Sequence, residues 1–224
     1  MIETELKVEP KRLSQTRKNM DKDNTKLHWE NVYTEKQPQE VSWYQKEPTV
    51  SLEIIKHFSD KNSRIIDIGG GTSMLIDYLL KIGYSNLALL DISSKAIEHV
   101  RNRIADGASN IEWFEKDITE FVPPHPYDIW HDRAVFHFLT DIESRQLYVK
   151  VLKNAVKLGA HIIIAAFAKG GPKKCSGLDI VQYDNPSIQL ELGDNFILID
   201  SKFETHITPS GNEQQFTYFV FQRK

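Results

Sequence analysis

Short apolar runs alternate with amphipathic segments along most of the chain after Asn62. These runs are rich in β-branched residues and are short enough for buried strands. They predict strands at residues 64–68, 87–92, 110–114, 127–130 and 161–167. After the first run, Leu75, Tyr78, Leu79 and Ile82 recur at the spacing of one helix face. Because parallel neighbours need crossover connections, the alternation predicts an α/β fold with a mostly parallel sheet and helices on both faces.

The C-terminal part of the chain breaks this alternation. A short helix is predicted at residues 186–192, and strands are predicted at residues 196–208 and 215–222. The turn-rich segment 209–213 is too short to hold a crossover helix. The last two strands are therefore predicted to pair as an antiparallel hairpin.

Residues that begin or end helices stand at several predicted boundaries. Gly83 is predicted to end the helix after the first strand, because glycine commonly follows a helix C-terminus. Thr140 and Glu143 have capping-box spacing and predict the start of a helix, and Gly159 predicts its end.

The N-terminal region divides into two parts. Residues 1–25 mix acidic and basic side chains and predict a charged, flexible tail. From Lys26 the pattern becomes aromatic and helical, and a second helix is predicted at residues 48–58. The length of 224 residues predicts one domain over residues 26–224, with its segment 26–60 forming cover helices.

Composition excludes several classes of protein and partner. The formal charge of −3, from 28 basic and 31 acidic residues, disfavours a protein that grips nucleic acid through its phosphates. The single cysteine, Cys175, excludes an intrachain disulfide and a zinc site of several thiolates, which fits the reducing cytosol. The longest apolar run, residues 162–168, is far shorter than the roughly 20 residues that span a bilayer. We therefore expect a cytoplasmic protein without a membrane segment.

The first predicted strand ends in an acidic residue and three consecutive glycines, namely Asp67 and then Gly69, Gly70 and Gly71. Glycines there let the backbone turn sharply beside a ligand, at the strand ends where doubly wound sheets bind ligands. The dinucleotide fingerprint would need a further glycine where Met74 stands. Since Asp67 would repel phosphates, the loop favours a cationic ligand.

Two further carboxylates follow the second and third predicted strands. Asp91 ends the second strand, where a carboxylate can accept hydrogen bonds from both ribose hydroxyls of a nucleoside. Asp117 follows the third strand, where it can read an adenine amino group, and Ile92 and Ile118 can flank the ring. Together with the loop, these residues predict a site for a nucleoside with a positively charged tail.

At these residues the chain resembles the class I S-adenosylmethionine-dependent methyltransferases. Their pattern is an acidic residue with a glycine-rich loop, an acidic end of the second strand, and Asp after the third strand. The resemblance covers about residues 28–224 and implies S-adenosylmethionine as cofactor, with S-adenosylhomocysteine as product. It also implies a Rossmann-like sheet of seven strands, in which the C-terminal hairpin inserts the seventh strand between the fifth and the sixth.

The segment before the first strand resembles the cover of small bacterial members and of a related branch of protein-lysine methyltransferases. The resemblance rests on Trp29-x-x-x-Tyr33 and on the run Val41-Ser42-Trp43-Tyr44. By that likeness, three aromatic residues lie over the methionine end of the cofactor: Tyr33, Trp43 and Tyr44. Aromatic faces stabilise a nearby cation such as a sulfonium.

The fourth predicted strand continues into HDRAVFHFL, residues 131–139. Families that methylate nucleobase or glutamine amides have Asn/Asp-Pro-Pro-aromatic at this point, and this chain does not. The segment instead resembles that of small-molecule methyltransferases and their lysine-methylating relatives, in which the positions of Arg133 and His137 line the active site.

The same segment supplies the candidate catalytic groups. His131, Asp132 or His137 could remove or relay a proton of the acceptor, and we also count Asp132 with the cofactor-binding residues. Arg133 could anchor a carboxylate or phosphate of the acceptor through its bidentate fork. A metal site built from these side chains is not predicted, because their spacing matches no metal motif.

Residues 168–179 follow the fifth strand and are rich in Gly, Pro and Lys. They predict a mobile loop near the cofactor, of the kind that selects substrates. Its three lysines, Lys169, Lys173 and Lys174, either attract an acidic acceptor or form a solvated surface.

The sequence therefore predicts a methyltransferase that moves a methyl group by in-line displacement to a small molecule or a protein lysine. Two alternatives stay open: a nicotinamide-dependent oxidoreductase, and a module that binds S-adenosylmethionine without catalysis. The sequence does not define the acceptor or the oligomeric state.

Overall fold

A computed structural model describes the backbone of residues 9–224, and the side chains of residues 22–224 apart from residue 106. The helices are α1 Glu9–Glu35, α2 Thr49–Phe58, α3 Leu75–Lys81, α4 Ser94–Ile104, α5 Ile142–Ala155 and α6 Asn185–Leu192. The strands are β1 Ile65–Ile68, β2 Leu87–Asp91, β3 Ile111–Glu115, β4 Tyr127–Arg133, β5 Val156–Phe167, β6 Lys174–Cys175, β7 Leu178–Asp179, β8 Phe196–Ile207 and β9 Glu213–Arg223.

Seven of the strands form one sheet in the order β3-β2-β1-β4-β5-β9-β8. The pairs from β3 to β5 are parallel, whereas β9 is antiparallel to both β5 and β8. The predicted α/β class is confirmed. The last strand lies between the fifth strand and its own hairpin partner, which confirms the topology that the resemblance implied.

Two hydrophobic cores lie on opposite faces of the sheet. Successive residues of a strand point to opposite faces, so Ile65 packs on one side of β1 and Ile66 on the other. Helices α2, α3 and α4 cover the first face, and α5 and α6 cover the second. Because β1 is buried on both faces, all of its residues except Asp67 are apolar.

Helix α1 begins at Glu9, inside the segment predicted as a tail, rather than near Lys26. Lys22 within that segment donates a hydrogen bond to Thr119, with 3.2 Å between Nζ and Oγ1. The early turns of this helix have no apolar stripe, which is the signal that sequence reasoning uses to find a helix. Residues 1–8 of the predicted tail lie outside the described residues.

Two predicted helix boundaries are wrong. The N-cap of α5 is Asp141, whose carboxylate accepts from the Ser144 amide at 2.8 Å, and not Thr140. Gly159 does not end this helix, because β5 begins at Val156 directly after it, and Gly159 lies within the strand with a φ of 80°. The prediction for Gly83 agrees with the structure, in which α3 ends at Lys81 and Gly83 has a φ of 94°.

The segment 168–179 is not an irregular loop. It contains the two-stranded hairpin of β6 and β7, in which Cys175 pairs with Leu178 and is buried. In the part of the chain that the structure describes, no helix is long and apolar enough to cross a membrane.

Candidate functional site

A cavity lies at the carboxyl ends of β1, β2 and β4, and its space is about 810 Å³ including the open mouth. It is lined by residues from the strand ends, from α1 and from the β6 hairpin. A second, smaller cavity adjoins it and shares Trp43, Gly69 and Arg133 with it. The two cavities therefore lie side by side at the edge of the sheet where a doubly wound fold binds ligands.

The glycine-rich loop after β1 has a shape that only glycine takes easily. Gly69 and Gly71 have φ angles of 59° and 49°. A Cβ at Gly71 would lie 2.5 Å from the hydroxyl oxygen of Tyr33, and a Cβ at Gly70 would lie 2.7 Å from Leu89. Conformation and close packing therefore both require glycine here.

Asp91 ties this loop to the end of β2. Its carboxylate accepts one hydrogen bond from the Gly71 amide and one from the Ser93 amide, each at 2.8 Å. Burial raises the pKa of Asp91 to about 7, although these two amides favour the charged form. The side chain also lines the large cavity.

Asp67 and His131 face each other across the neighbouring strands β1 and β4. Asp67 Oδ1 lies 2.7 Å from Nδ1 of His131, and the ring's Nε2 lies 2.9 Å from the Ser51 hydroxyl on α2. Asp67 Oδ2 is buried without a hydrogen-bond partner among the described residues. All three residues line the smaller cavity.

Aromatic side chains cover the large cavity. Trp29 and Tyr33 from α1 meet Trp43, with ring centroids 5.7 and 6.4 Å apart, and Trp29 also meets Phe138 at 5.2 Å. Tyr33 and Trp43 line the large cavity, whereas Tyr44 lines only the smaller one. This arrangement places the three aromatic residues predicted to cover a cofactor around one site.

Ile92, Asp117 and Ile118 also line the large cavity. Asp117 Oδ1 accepts from the amide and the hydroxyl of Thr119, each at 2.7 Å. These bonds leave the other carboxylate oxygen 4.0 Å from the Lys22 ammonium. The predicted adenine-binding residues are thus brought together beside Asp91.

Arg133 at the end of β4 lines both cavities and fixes the cover loop formed by residues 41–46. Its Nη1 donates to the Trp43 carbonyl at 3.1 Å, and its Nε donates to the Tyr218 hydroxyl at 3.0 Å. Its guanidinium lies 4.3 Å above the ring of Phe216 and 3.5 Å from a carboxylate oxygen of Glu204. This guanidinium is held within the wall of the site.

Two further hydrogen bonds fix the same cover loop. Gln45 donates to Glu204 at 2.7 Å, and Nε2 of His206 lies 2.7 Å from the Ser42 carbonyl. Both anchoring residues belong to β8. The C-terminal hairpin therefore holds the cover in place over the ends of the parallel strands.

Asp132 does not line either cavity, contrary to its predicted place among the cofactor-binding residues. On β4, His131 and Arg133 face α2 and the hairpin, so the intervening Asp132 points to the opposite face. There its carboxylate accepts from the Tyr148 hydroxyl at 2.7 Å and from the Val135 amide at 2.9 Å. Burial raises its pKa to about 6. Asp132 stabilises the turn after β4.

His137 also lines neither cavity, although the resemblance placed it in the active site. It is fully buried beside the rings of Phe138 and Phe167, and neither of its ring nitrogens has a hydrogen-bond partner among the described residues. Burial lowers its pKa to about 3, so the ring is neutral. This position does not suit a proton acceptor for a bound substrate.

Sequence reasoning missed several residues of the site. Ser51, Glu204 and Tyr218 contact His131 or Arg133 across long stretches of chain, and no local pattern marks them. Cys175 lines the large cavity as a thiol whose pKa burial raises to about 11, so it is protonated at neutral pH.

Glu30 joins helix α1 to the N-terminus of α4. Its carboxylate accepts from the Ser94 amide at 2.7 Å, the Ser93 hydroxyl at 2.9 Å and the Lys95 amide at 3.2 Å. Burial opposes ionisation, but these hydrogen bonds outweigh it and lower the pKa of Glu30. An acceptor at the first turn of α4 satisfies amides that have no partner within the helix. The contact holds α1 over the cavity.

Residues 66–162 match the family model described as a methyltransferase domain. Over 98 residues the chain is 31% identical to malonyl-[acyl-carrier protein] O-methyltransferase 1 of Ilyobacter polytropus, covering 43% of this chain and 36% of that protein. Over 159 residues it is 27% identical to human EEF1A lysine methyltransferase 2, covering 63% of this chain and 67% of that protein. The chain thus spans about a third of the length of the first of these relatives.

Solved structures share the fold. A methyltransferase structure from Anabaena variabilis aligns with a TM-score of 0.70 at 14% identity, covering 91% of this chain and 95% of that one. A second, from Methanosarcina mazei, aligns with a TM-score of 0.64 at 17% identity, covering 76% and 96%.

Proposed function

We propose that the chain is a class I S-adenosylmethionine-dependent methyltransferase, which binds S-adenosylmethionine and transfers the methyl group to an acceptor, leaving S-adenosylhomocysteine. The match of residues 66–162 to a methyltransferase domain and the two methyltransferase relatives support this proposal. The observation that carries this proposal is the pair of buried carboxylates, Asp67 and Asp91. They stand at the ends of adjacent parallel strands and line two adjoining cavities under an aromatic cover.

The unpartnered oxygen of Asp67 fits the methionine end of this cofactor. A buried carboxylate oxygen without a hydrogen-bond donor is unfavourable by itself, so the site is suited to a ligand that brings a donor and a positive charge. The α-ammonium group of the methionine part supplies both. Gly70 lines the same smaller cavity as Asp67, and a Cβ at this position would lie 3.0 Å from Oδ2 of Asp67.

The nucleoside end fits the large cavity. We propose that Asp91 accepts the ribose hydroxyls, that Asp117 reads the adenine amino group, and that Ile92 and Ile118 pack on the two faces of the ring. The placement of all four on the wall of one cavity supports these roles.

We propose that Tyr33, Trp43 and Tyr44 cover the sulfur. The cofactor supplies an electrophilic methyl carbon on a positively charged sulfur. Aromatic faces stabilise such a cation and exclude water from it. The edge-to-face packing of Trp43 against Tyr33 supports a cover that is preformed and not assembled around the ligand.

For methyl transfer, the protein's contribution is alignment of the acceptor in line with the methyl group and the sulfur. Holding two reactants in this geometry supplies much of the acceleration of such a reaction. We propose that Arg133 forms the wall against which the acceptor lies, because it lines both cavities and is rigidly held. Neither His131, with both nitrogens engaged, nor His137, outside the cavities, is proposed as a base.

The proposed acceptor is a small molecule or a protein lysine. One relative is named for O-methylation of a malonyl-[acyl-carrier protein], and the other for methylation of a lysine in EEF1A. We also propose the cytosol as the compartment of this protein, because its single cysteine is a buried free thiol.

Calorimetry with S-adenosylmethionine and S-adenosylhomocysteine tests the cofactor. We expect the wild type to bind both, Asp91→Ala to lose most of the affinity, and the exposed Asp194→Ala to bind like the wild type. Binding of a nicotinamide dinucleotide in their place would favour an oxidoreductase.

Incubation with methyl-labelled cofactor, a metabolite panel and a cell lysate tests catalysis and the acceptor class. Label in the small-molecule fraction identifies a metabolite acceptor. Label that is recovered as methyl-lysine after the labelled protein is hydrolysed to amino acids identifies a protein lysine. Cofactor binding without release of S-adenosylhomocysteine would favour a non-catalytic module.

A further inference from the structure

Both ring nitrogens of His131 are used inside the protein. Nδ1 meets Oδ1 of Asp67 at 2.7 Å, Nε2 meets the hydroxyl of Ser51 at 2.9 Å, and the residue is only 3% exposed. A general base needs a free nitrogen within reach of the proton that it removes. His131 is therefore not free to act as the general base that its sequence position suggested.

The position of the ring is set by the sheet itself. Asp67 on β1 and His131 on β4 are direct partners in the parallel register, so their side chains project from the same face. Ser51 reaches the ring from α2, which packs on that face and is fully buried at this residue. The three side chains form a row from the cover helix to the glycine-rich loop.

Hydrogen-bond chemistry fixes the direction of one bond in this row. A carboxylate oxygen only accepts, so Nδ1 of His131 donates to Asp67, and Nε2 shares a hydrogen bond with the Ser51 hydroxyl. In this arrangement Oδ1 is occupied and the carboxylate cannot rotate freely. Its other oxygen, Oδ2, has no hydrogen-bond partner among the described residues, and Asp67 lines the smaller cavity.

We infer that His131 is a positioning residue, which holds Asp67 with one oxygen aimed at the ammonium group of bound S-adenosylmethionine. This inference rests on the proposed function. It predicts that His131 affects only ligands that carry the methionine part, because the proposed site of the nucleoside end is at Asp91 and not at Asp67.

The test compares two ligands and two polar variants by calorimetry. S-adenosylhomocysteine carries the amino-acid part, whereas 5′-methylthioadenosine lacks it. His131→Asn keeps a donor near the place of Nδ1, and His131→Gln places its amide near Nε2. A matched control, His161→Asn, changes a half-buried histidine that stacks on Phe58 at the other end of the sheet.

We expect His131→Gln to weaken S-adenosylhomocysteine binding on the order of 10-fold or more, as when a charged group loses a hydrogen-bond partner. The separate variant His131→Asn should bind S-adenosylhomocysteine with an affinity within about 3-fold of the wild type. Binding of 5′-methylthioadenosine should be the same in the wild type, both variants and the control. If His131→Gln does not fold, Ser51→Ala serves as the second variant, with a smaller loss confined to S-adenosylhomocysteine.

The possible failures are distinguishable. Equal loss of both ligands, or no loss of either, in a folded His131→Gln would overturn the positioning role and leave the proposed function intact. Absence of binding of both ligands to the wild type would instead overturn the proposed function.

Discussion

The guanidinium of Arg133 donates to the backbone carbonyl of Trp43 at 3.1 Å, so the end of β4 is joined directly to the cover loop. The same guanidinium lies beside Glu204, which in turn accepts from Gln45 of that loop. Arg133 and Glu204 are about 90% buried at their side chains, at 10% and 13% exposure. The cover is therefore held by a buried ion pair and not by surface contacts.

Removal of Glu204 is expected to destabilise the protein strongly. Glu204→Ala leaves the Arg133 charge buried without its partner, at a cost of roughly 3 kcal/mol in the free energy of unfolding. The control is Glu53→Ala, which removes an exposed ion pair with Lys202 and should cost less than about 1 kcal/mol. Urea unfolding measures both. Similar losses in the two variants would contradict a special role of the buried pair.

Gly71 is expected to tolerate no side chain. Gly71→Ala combines a left-handed φ of 49° with a Cβ placed 2.5 Å from the Tyr33 hydroxyl oxygen. Gly211→Ala is the matched control, because its φ is 84° and nothing lies within 4 Å of its Cβ. The control should lose about 1–2 kcal/mol for the backbone alone, and Gly71→Ala should lose more and also bind S-adenosylhomocysteine weakly. Equal melting temperatures would argue against the packing of Tyr33 on the loop.

Ionisation of Asp91 is expected to make stability depend on pH. Burial raises its pKa from an ordinary value near 4 to about 7. The folded protein therefore binds this proton more tightly than the unfolded chain, so the contribution of Asp91 to stability falls as the pH rises from about 4 to about 7 and then levels off. Asp91→Asn should remove this dependence, which urea unfolding at pH 5 and pH 8 would measure.

The same carboxylate should make cofactor binding depend on pH in the opposite sense. Ribose hydroxyls donate more strongly to an ionised carboxylate than to a protonated one. Affinity for S-adenosylhomocysteine should therefore rise as the pH increases through about 7. A pH-independent affinity in calorimetry would show that Asp91 is already ionised in the free protein.

Loss of Glu30 is expected to loosen helix α1 over the cavity. Glu30→Ala removes the acceptor from the Ser94 and Lys95 amides at the start of α4, a cap worth about 1 kcal/mol. Hydrogen exchange should accelerate at these amides and along α1, and S-adenosylhomocysteine should dissociate faster. Glu35→Ala, at the exposed end of the same helix, is the control. Unchanged exchange at Ser94 would rule out the contact.

The ends of β1 and β2 could be predicted from the sequence because both strands are buried on both faces. The apolar run of β1 ends where the glycines begin, and that of β2 ends at Asp91. Polar residues directly after such runs must lie at one edge of a parallel sheet, so their convergence follows from topology alone. The function of each side chain at that edge is harder to predict from the sequence. His131 and Asp132 are neighbours in the chain, but strand alternation sends them to opposite faces.

By itself, the sequence determined the α/β class, the strand ends and the group of carboxylates and glycines, because these depend on local periodicity and on the chemistry of single residues. Only the tertiary structure decided what each polar group contacts. Ser51, Glu204 and Glu30 meet their partners across 63 to 80 positions of the chain. Such pairings follow from how helices pack on the sheet, which no short sequence pattern encodes, and they decide whether a histidine or arginine binds a ligand or holds its neighbours.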